Sequence, residues 1–161
     1  MSDECTLRAA EPGDEMLLLQ LIRELAVYER LQHEVIADES LLSAALFGPE
    51  PTAHAIIAEY KDEPAGFALY FFNFSTFLGR PGLYLEDLFV REHLRGHGIG
   101  KSLLLYLAGL AHQRGCGRME WSVLDWNQPA IDFYRSLGAV PMDEWTVFRL
   151  DREGLEGLVG G

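Results

Sequence analysis

Residues 95–100 (Arg-Gly-His-Gly-Ile-Gly) constrain this chain most, because they lie between an apolar run and an amphipathic one. The apolar run, residues 83–90, suits a buried strand, and residues 102–114 have the periodicity of a helix. Glycines let the backbone turn and bring successive N–H groups close to a ligand, and the following helix contributes its positive dipole end. The order strand, glycine loop, helix therefore predicts an anion site, and the expected anion is a pyrophosphate.

The glycine spacing matches neither of two familiar phosphate loops. A Walker A loop has four residues between its glycines, whereas three separate Gly96 from Gly100 before Lys101 and Ser102. The dinucleotide fingerprint also spaces its glycines differently. A nucleoside triphosphate binder with a shortened Walker loop stays as a minor alternative, which tight ATP binding would indicate.

Length and composition predict one globular domain. A chain of 161 residues, with 48% hydrophobic and 24% charged residues, is long enough to bury a core. We expect this single domain over residues 1–161, with its core at about 5–151 and a C-terminal tail that is either poorly ordered or associated with a dimer. Residues 1–4 are acidic with no apolar run behind them, and no stretch is long enough to span a bilayer, so we expect a soluble, cytoplasmic protein.

The charge balance restricts the partners. Thirteen basic and 25 acidic residues give a net charge of −12, which repels nucleic acid and anionic membranes and attracts cations. We therefore expect no nucleic-acid or membrane partner, and a cationic substrate fits, although solubility alone also explains the acidity.

No metal site is predicted. Cys5 and Cys116 lack the spacing of a metal site or a disulfide framework. His93 and His97 are four residues apart, a spacing that binds metal on one helix, but the glycines around His97 oppose a helix there.

The sequence pattern predicts alternating strands and helices. The predicted strands are 6–8, 54–60, 65–72, 83–90 and 119–124, and the predicted helices run from the turn at 11–14 to about 28 and over 38–46, 102–114 and 129–137. Residues 73–81 are predicted as a loop, 140–142 and 146–150 as a closing hairpin, and 154–161 as a segment with little order. The sum is an α/β fold, a mixed sheet with helices on both faces.

Several blocks of the sequence resemble one enzyme family. Arg95, Gly98 and Gly100 match the Arg/Gln-x-x-Gly-x-Gly/Ala loop of the GNAT-superfamily N-acetyltransferases. Residues 24–29, 83–90, 125–129 and 132–134 resemble the spermidine/spermine and thialysine acetyltransferase branch. This resemblance implies the GNAT acyl-CoA N-acyltransferase fold with a splayed strand pair, acetyl-CoA as co-substrate, and a homodimer in which C-terminal segments complete the partner's pocket.

The resemblance also implies cofactor-binding residues. The strand before the loop offers backbone groups to the pantetheine arm, the loop holds the pyrophosphate, and Asn127 binds the arm from the far side. The implied set is Leu88, Phe89, Val90, Arg95, Gly96, His97, Gly98, Ile99, Gly100, Lys101, Asn127, Pro129, Ala130 and Leu137. Asn127 also suits a helix cap, and the two roles are compatible.

Two residues are predicted to carry the proton transfers. A substrate ammonium must lose a proton before it attacks the thioester, and Glu86 is the candidate acceptor. The departing thiolate gains from a proton donor, and Tyr134 matches the family's general acid. Glu86 and Asp87 point to opposite faces of a strand, so one of them is open to a surface role, and Tyr134 also suits a core aromatic.

Further residues are carried over to the substrate side, where this branch uses carboxylates and aromatics to hold a second cationic centre. They are Tyr28, Glu29, Glu86, Asp87, Glu120, Trp121, Ser122 and Trp145. The segment between Ala139 and Trp145 is shorter than in eukaryotic relatives, so the acid preceding the tryptophan maps onto either Asp143 or Glu144. Residues 125–128 favour the thialysine-type members.

The resemblance therefore implies transfer of the acetyl group of acetyl-CoA to the primary amine of a small cationic substrate, by direct attack in a ternary complex. Polyamine, diamine and thialysine or lysine-like substrates stay open. The alternatives are a non-catalytic acyl-CoA-binding or regulatory module and an enzyme that acts on a peptide or protein amine.

Overall fold

The computed structural model describes residues 4–160; Met1–Asp3 of the acidic N-terminus and the final Gly161 lie outside the described residues. The chain divides into two compact units, one ending at Ser122 and the other beginning at Val123. The prediction of one domain over residues 1–161 stays a prediction, and each unit is described by itself.

The first unit contains a five-stranded mixed sheet. Its elements are β1 (Cys5–Ala9), α1 (Glu15–Tyr28), α2 (Glu39–Phe47), β2 (His54–Tyr60), β3 (Glu63–Ser75), β4 (Arg80–Val90), α3 (Ile99–Gln113) and β5 (Arg118–Trp121), with 3-10 turns at Gln32–Glu34 and Glu92–Leu94. The strands lie in chain order across the sheet. β1 to β4 pair antiparallel, whereas β4 and β5 pair parallel because α3 returns the chain between them. The predicted mixed α/β sheet is confirmed.

The helices bury apolar stripes against this sheet. Leu18, Leu21 and Leu25 recur on one side of α1 and pack with α2 and with Ile57 and Phe67 of the strands. The buried stripe of α3, which includes Leu103 and Leu107, lies outside that cluster, and α3 contacts β2 to β5. Apolar residues three or four positions apart lie on one face of each helix, and that face packs against the sheet.

Two arginines anchor α1, whose C-terminal end carries predicted substrate residues. At its start, Arg8 of β1 donates to both carboxylate oxygens of Asp14 at 2.7 and 2.9 Å and to Glu59 at 2.7 Å. These hydrogen bonds hold the pKa of Asp14 below its ordinary value. Further along, Arg91 donates to both Glu24 oxygens at 3.1 and 3.0 Å and to the Pro64 carbonyl at 3.1 Å. The position of α1 against the sheet is therefore held at two points.

Two boundaries in the first unit differ from prediction. The predicted loop at 73–81 is shorter, because β3 continues to Ser75 and β4 begins at Arg80. Pro81 lies within β4 and pairs with Phe74 near the sheet's end, where strand prolines are tolerated. The strand predicted at 119–124 ends at Trp121, the last described residue of β5 that pairs with β4.

The second unit contains the helices α4 (Gln128–Ser136) and α5 (Arg152–Gly160). The predicted hairpin at 140–142 and 146–150 was wrong: the described residues form no strand there, and Val140, Val147 and Phe148 are exposed. β-propensity needs a paired, half-buried surface, and this segment has none within its unit.

The prediction of little order after residue 154 was also wrong. Asp151 accepts a hydrogen bond from the Gly154 N–H at 2.8 Å, and Arg152 pairs with Glu156 one turn later at 3.0 Å. A cap and an i,i+4 ion pair support α5 despite its glycines.

Candidate active site

The glycine loop before α3 has the backbone of an anion cradle. Gly96 and Gly98 have φ angles of +87° and +75°, which L side chains rarely adopt, although a Cβ at either would meet no atom within 4 Å. Backbone conformation, not crowding, therefore requires glycine here. Gly98 is the N-cap of α3, and no side chain of the described residues caps this end. The first N–H groups of α3, including Ile99, Gly100 and Lys101, thus suit a phosphate.

Arg95 holds the start of this loop. Its Nε donates to the Val90 carbonyl at 3.0 Å, and its guanidinium lies 4.5 Å from the Tyr28 ring centre and 5.8 Å from that of Phe89. No carboxylate within residues 4–160 forms an ion pair with Arg95, although sequence reasoning left that role open. Arg95 therefore connects the loop to the end of α1.

The two loop histidines have different partners. His97 stacks on Tyr60 with ring centres 4.6 Å apart, and its Nδ1 lies 3.3 Å from the Tyr60 hydroxyl. His93 contacts Glu63 at 3.0 Å instead. Between residues 4 and 160, no three side chains of His, Cys, Asp or Glu come together as a metal-ligand set.

The β4 strand offers backbone groups beside the loop. β5 pairs with β4 only from Gly82 to Leu85, whereas β3 pairs with β4 as far as Val90. Along the remainder of β4, which includes Leu88, Phe89 and Val90, the described residues provide no second strand on the β5 side. An extended, amide-bearing chain fits this edge as a pseudo-strand.

Three carboxylates interact near the middle of β4. Asp87 is partly buried and Glu86 is exposed; the pairing of β3 with β4 shifts register here and leaves Glu86 without a partner on β3, so simple strand alternation does not apply. Burial, and then repulsion from Glu86 and from Glu29 at the end of α1, raises the pKa of Asp87 to about 7. Burial also raises the pKa of Glu29. This acid cluster (Glu29, Glu86 and Asp87) is suited to attract a cation and to accept a proton near neutral pH.

A groove of about 730 Å³ runs along α1. Its lining includes Tyr28, which is predicted on the substrate side, and Phe89 and Arg95, which are predicted on the cofactor side. The structure therefore places residues from both predicted sets around one opening.

The other predicted substrate residues of the first unit lie on or just after β5. Glu120 pairs with Arg118 at 3.2 Å, and Trp121 is half-buried. The Ser122 hydroxyl lies 3.0 Å from that of Tyr84, whose ring stacks on Phe71. Sequence reasoning missed Tyr84; its signal was a polar aromatic two residues before Glu86.

The second unit holds the remaining predicted residues. Asn127 is buried and accepts from the Ala130 N–H at 3.3 Å, which confirms that it caps α4, and Pro129 lies in the first turn. Tyr134 is half-buried beside Phe133, with ring centres 5.6 Å apart, and Leu137 is the C-cap. Trp145 is 76% exposed. The catalytic, cofactor and substrate roles of these residues stay predictions.

Comparison with known proteins agrees with the fold and the loop. The acetyltransferase (GNAT) family matches residues 18–139, which span parts of both units. The chain is 39% identical over 165 residues to a thialysine N-epsilon-acetyltransferase of Bos taurus, covering 96% of each chain. It is 34% identical to an L-ornithine N5-acetyltransferase of Arabidopsis thaliana, covering 94% of this chain and 86% of the relative.

A solved structure also resembles this chain along its length. An integron cassette protein from the mobile metagenome of V. cholerae superposes with a TM-score of 0.82 at 28% identity, covering 99% of this chain and all of that chain. Fold and loop define an acyl-CoA-dependent N-acyltransferase. The chain belongs to the GNAT acetyltransferase family. It is an enzyme that transfers the acetyl group of acetyl-CoA to an amine.

One further property bears on the protein's surroundings. Within residues 4–160, every helix is too short or too polar to cross a lipid bilayer.

Proposed function

We propose that the acetyl acceptor is the primary amine of a small substrate with two cationic centres, and that the acid cluster receives it. The observation that carries this proposal is the grouping of Asp87 with Glu86 and Glu29, in which burial and mutual repulsion raise the pKa of Asp87 to about 7. Clustered carboxylates repel one another until a cation lies among them. A dicationic amine relieves this repulsion and is therefore favoured over a neutral or anionic acceptor.

The same cluster supplies the base. A primary ammonium has a pKa near ~10, so its proton must be removed before the nitrogen attacks. Sequence reasoning selected Glu86 for this step; the structure adds Asp87 as a candidate, because a base with a pKa of about 7 is matched to neutral pH. The ammonium proton moves to a carboxylate directly or through water, and the free nitrogen lone pair attacks the thioester carbonyl carbon.

Collapse of the tetrahedral species then breaks the carbon–sulfur bond. The electron pair of that bond leaves with the CoA sulfur, which takes a proton from the Tyr134 hydroxyl in the proposed mechanism. A backbone N–H near Phe89 is the proposed donor to the developing oxyanion. As the amide forms, the attacking nitrogen loses its second proton, which restores the Tyr134 hydroxyl directly or through water. The products are the acetylated amine and CoA thiol, and the enzyme ends with the first ammonium proton on the cluster, from which it passes to solvent.

Acetyl-CoA is proposed to bind along β4 and the loop. The backbone from Leu88 to Val90 suits the pantetheine amides, and the N–H groups from Gly96 to Lys101 suit the pyrophosphate. Asn127 is proposed to bind the same arm while its side chain caps α4. Holding both substrates at once permits direct attack, without an acetylated enzyme.

The relatives' names favour amino-acid-like amines over long polyamines. Thialysine and L-ornithine are the substrates named for the two enzymes compared above. Each carries a side-chain amine and an α-amino group, and the acid cluster suits two such charges. We propose the same class for this chain, which agrees with the expectation from residues 125–128.

The proposal also covers the extent of the domain, its location and its oligomeric state. We propose that residues 1–161 act as one N-acetyltransferase domain, in keeping with a family match that spans residues 18–139. We propose a cytoplasmic location, as expected from the sequence analysis. A homodimer is proposed from the family resemblance, and the exposed side chains of Val147 and Phe148 suit a partner surface.

A panel of acceptors tests the substrate class. Acetylation of thialysine, ornithine, lysine, putrescine, spermidine, a simple monoamine and a lysine peptide is followed at saturating acetyl-CoA. We expect the small diamino acids to have the highest kcat/KM. We expect Glu29→Gln to raise KM for them about tenfold more than for the monoamine, since one carboxylate is lost. Glu50→Gln, at an exposed position outside the cluster, is the matched control. A preference for the peptide would overturn the proposal, as would equal effects of the two variants.

A further inference from the structure

His97 lies in the phosphate loop, yet its ring is held by a strand remote in sequence. It sits between Gly96 and Gly98, immediately before α3, and stacks on Tyr60 at the end of β2 with an interplanar angle of 23°. Tyr60 is 8% exposed, whereas His97 is exposed. The loop's one aromatic side chain thus has a fixed neighbour on one side and solvent on the other.

The hydrogen bonds around Tyr60 determine which histidine nitrogen carries the proton. The Tyr60 hydroxyl donates to Glu4 at 2.9 Å, and this bond and burial raise the pKa of Tyr60, which keeps its proton at neutral pH. Because that proton is given to Glu4, the hydroxyl oxygen is available to accept a hydrogen bond from a protonated His97 Nδ1, which lies 3.3 Å away. A histidine whose Nδ1 carries the proton has Nε2 as its second functional atom.

Two further charged side chains lie near this contact. Lys61, after β2, lies 3.7 Å from Glu4 and 5.5 Å from the centre of the Tyr60 ring. Arg95, in the same loop, is engaged with Val90 and Tyr28. Within residues 4–160, no protein group forms a hydrogen bond or ion pair with His97 Nε2.

We propose that Tyr60 and Glu4 are positioning residues that hold His97 in the Nδ1–H tautomer, so that Nε2 takes up a proton and binds a phosphate group of CoA. This inference rests on the proposed function of the loop and adds to it a side-chain ligand and a proton. Neutral Nε2 presents a lone pair to an anion, whereas protonated Nε2 presents an N–H donor and a positive charge. Phosphate binding and protonation therefore reinforce each other, and CoA binds with uptake of a proton at Nε2.

Calorimetric titration with CoA from pH 6 to pH 8, in two buffers of different ionisation enthalpy, tests this inference. One proton taken up on binding changes affinity about tenfold per pH unit over the range in which it is taken up. We expect the wild-type Kd to tighten about tenfold more than that of His97→Gln between pH 8 and pH 6. The glutamine variant keeps an N–H donor but takes up no proton.

Three controls isolate the contribution of His97. His93→Gln removes a neighbouring histidine that contacts Glu63 and should keep the wild-type pH dependence. Dephospho-CoA lacks the 3′-phosphate, which itself titrates, so comparing it with CoA shows whether His97 binds that phosphate or the pyrophosphate. Both ligands are measured with wild type and with His97→Gln, and a phosphate of either kind fits the inference. Tyr60→Phe keeps the stacked ring and removes the hydroxyl, and we expect it to lose at least half of the proton uptake; its thermal unfolding is checked first.

The outcomes separate the inference from the proposed function. Equal pH dependence of wild type and His97→Gln, with CoA bound by both, would overturn the inference and leave the loop's role intact. Absence of CoA binding to the folded wild type would overturn the proposed site itself. Loss of the dependence in His97→Gln but not in Tyr60→Phe would keep the histidine ligand and reject its positioning by Tyr60.

Discussion

The Arg95 guanidinium lies 4.5 Å from the centre of the Tyr28 ring, so the loop before α3 is joined to the last residue of α1. Tyr28 adjoins Glu29 of the acid cluster, and Arg95 adjoins the first glycine of the phosphate loop. The contact between Arg95 and Tyr28 thus links the part of the proposed site that receives the amine to the part that binds CoA. Arg95 was predicted to bind cofactor, and its contacts indicate that it also fixes the loop's geometry.

Arg95→Lys should weaken CoA binding although it retains the charge. Lysine loses the Nε hydrogen bond to Val90 and the flat contact with Tyr28, which together contribute about 1–2 kcal/mol, so Kd should rise about tenfold. Calorimetric CoA titration measures this. Arg114→Lys is the control, because Arg114 lies over Phe72 at 4.9 Å but follows the opposite end of α3. Similar small effects of both variants would contradict the role given to Arg95.

Asp87→Asn should stabilise the protein at high pH. The folded-state pKa of about 7 is above the ordinary aspartate value, so the folded state retains its proton longer than the unfolded state and the free energy of unfolding falls as pH rises from about 4 to 7. Asparagine removes this penalty, and we expect a gain on the order of 2 kcal/mol at pH 8 and little change at pH 4. Urea unfolding at the two pH values measures it.

Glu86, the exposed residue next to Asp87, provides a variant for comparison. Glu86→Gln removes only part of the repulsion on Asp87, so we expect a smaller gain in stability at pH 8 than Asp87→Asn gives, and a change below about 0.5 kcal/mol at pH 4. A destabilised Asp87→Asn protein at pH 8 would show that the carboxylate is held by favourable interactions rather than by repulsion and burial. The gain in stability should accompany a loss of turnover, which is the usual trade-off for a strained catalytic group.

Arg91→Met should destabilise the first unit. The substitution leaves Glu24 without its forked partner and Pro64 without a donor to its carbonyl, at a site where Arg91 is only 14% exposed, so we expect a loss of about 2 kcal/mol. Arg152→Met removes an ion pair of the same 3.0 Å length to Glu156, but Arg152 is 85% exposed and the expected loss is below about 0.5 kcal/mol. Thermal unfolding of the two variants compares them directly; equal losses would mean that Arg91 contributes no more than a surface pair.

Local signals made much of the fold predictable. β2 was predicted with the bounds observed, His54–Tyr60, because an apolar run ends at a turn containing Asp62. α4 was predicted within one residue, since Asn127 and Pro129 mark its start and Gly138 follows its end. The glycine loop was predictable because positive φ angles leave few alternatives to glycine.

Features of the structure were missed where they depend on residues that are distant in the sequence. Burial, then repulsion from Glu86 and from Glu29, raises the pKa of Asp87, and no local pattern reports its burial or the approach of Glu29, which is distant in sequence. The contact between Tyr60 and His97 joins residues 37 positions apart. The segment before Leu150 has strand-like residues but no paired strand in its unit, so its propensity misled the prediction. Asp151 caps α5, but the glycines that follow it misled the prediction of little order.

The most direct test of the proposed chemistry is thiol release from acetyl-CoA by wild type and Tyr134→Phe, with a saturating small diamino acid and with CoA affinity measured in parallel. The account predicts wild-type turnover, an unchanged Kd for CoA, and a kcat for the variant about 100-fold lower, as expected on removal of a general acid. Equal turnover by the two proteins would contradict the role of Tyr134. Absence of thiol release by wild type across the amine panel, although CoA binds, would contradict the proposed acceptor class.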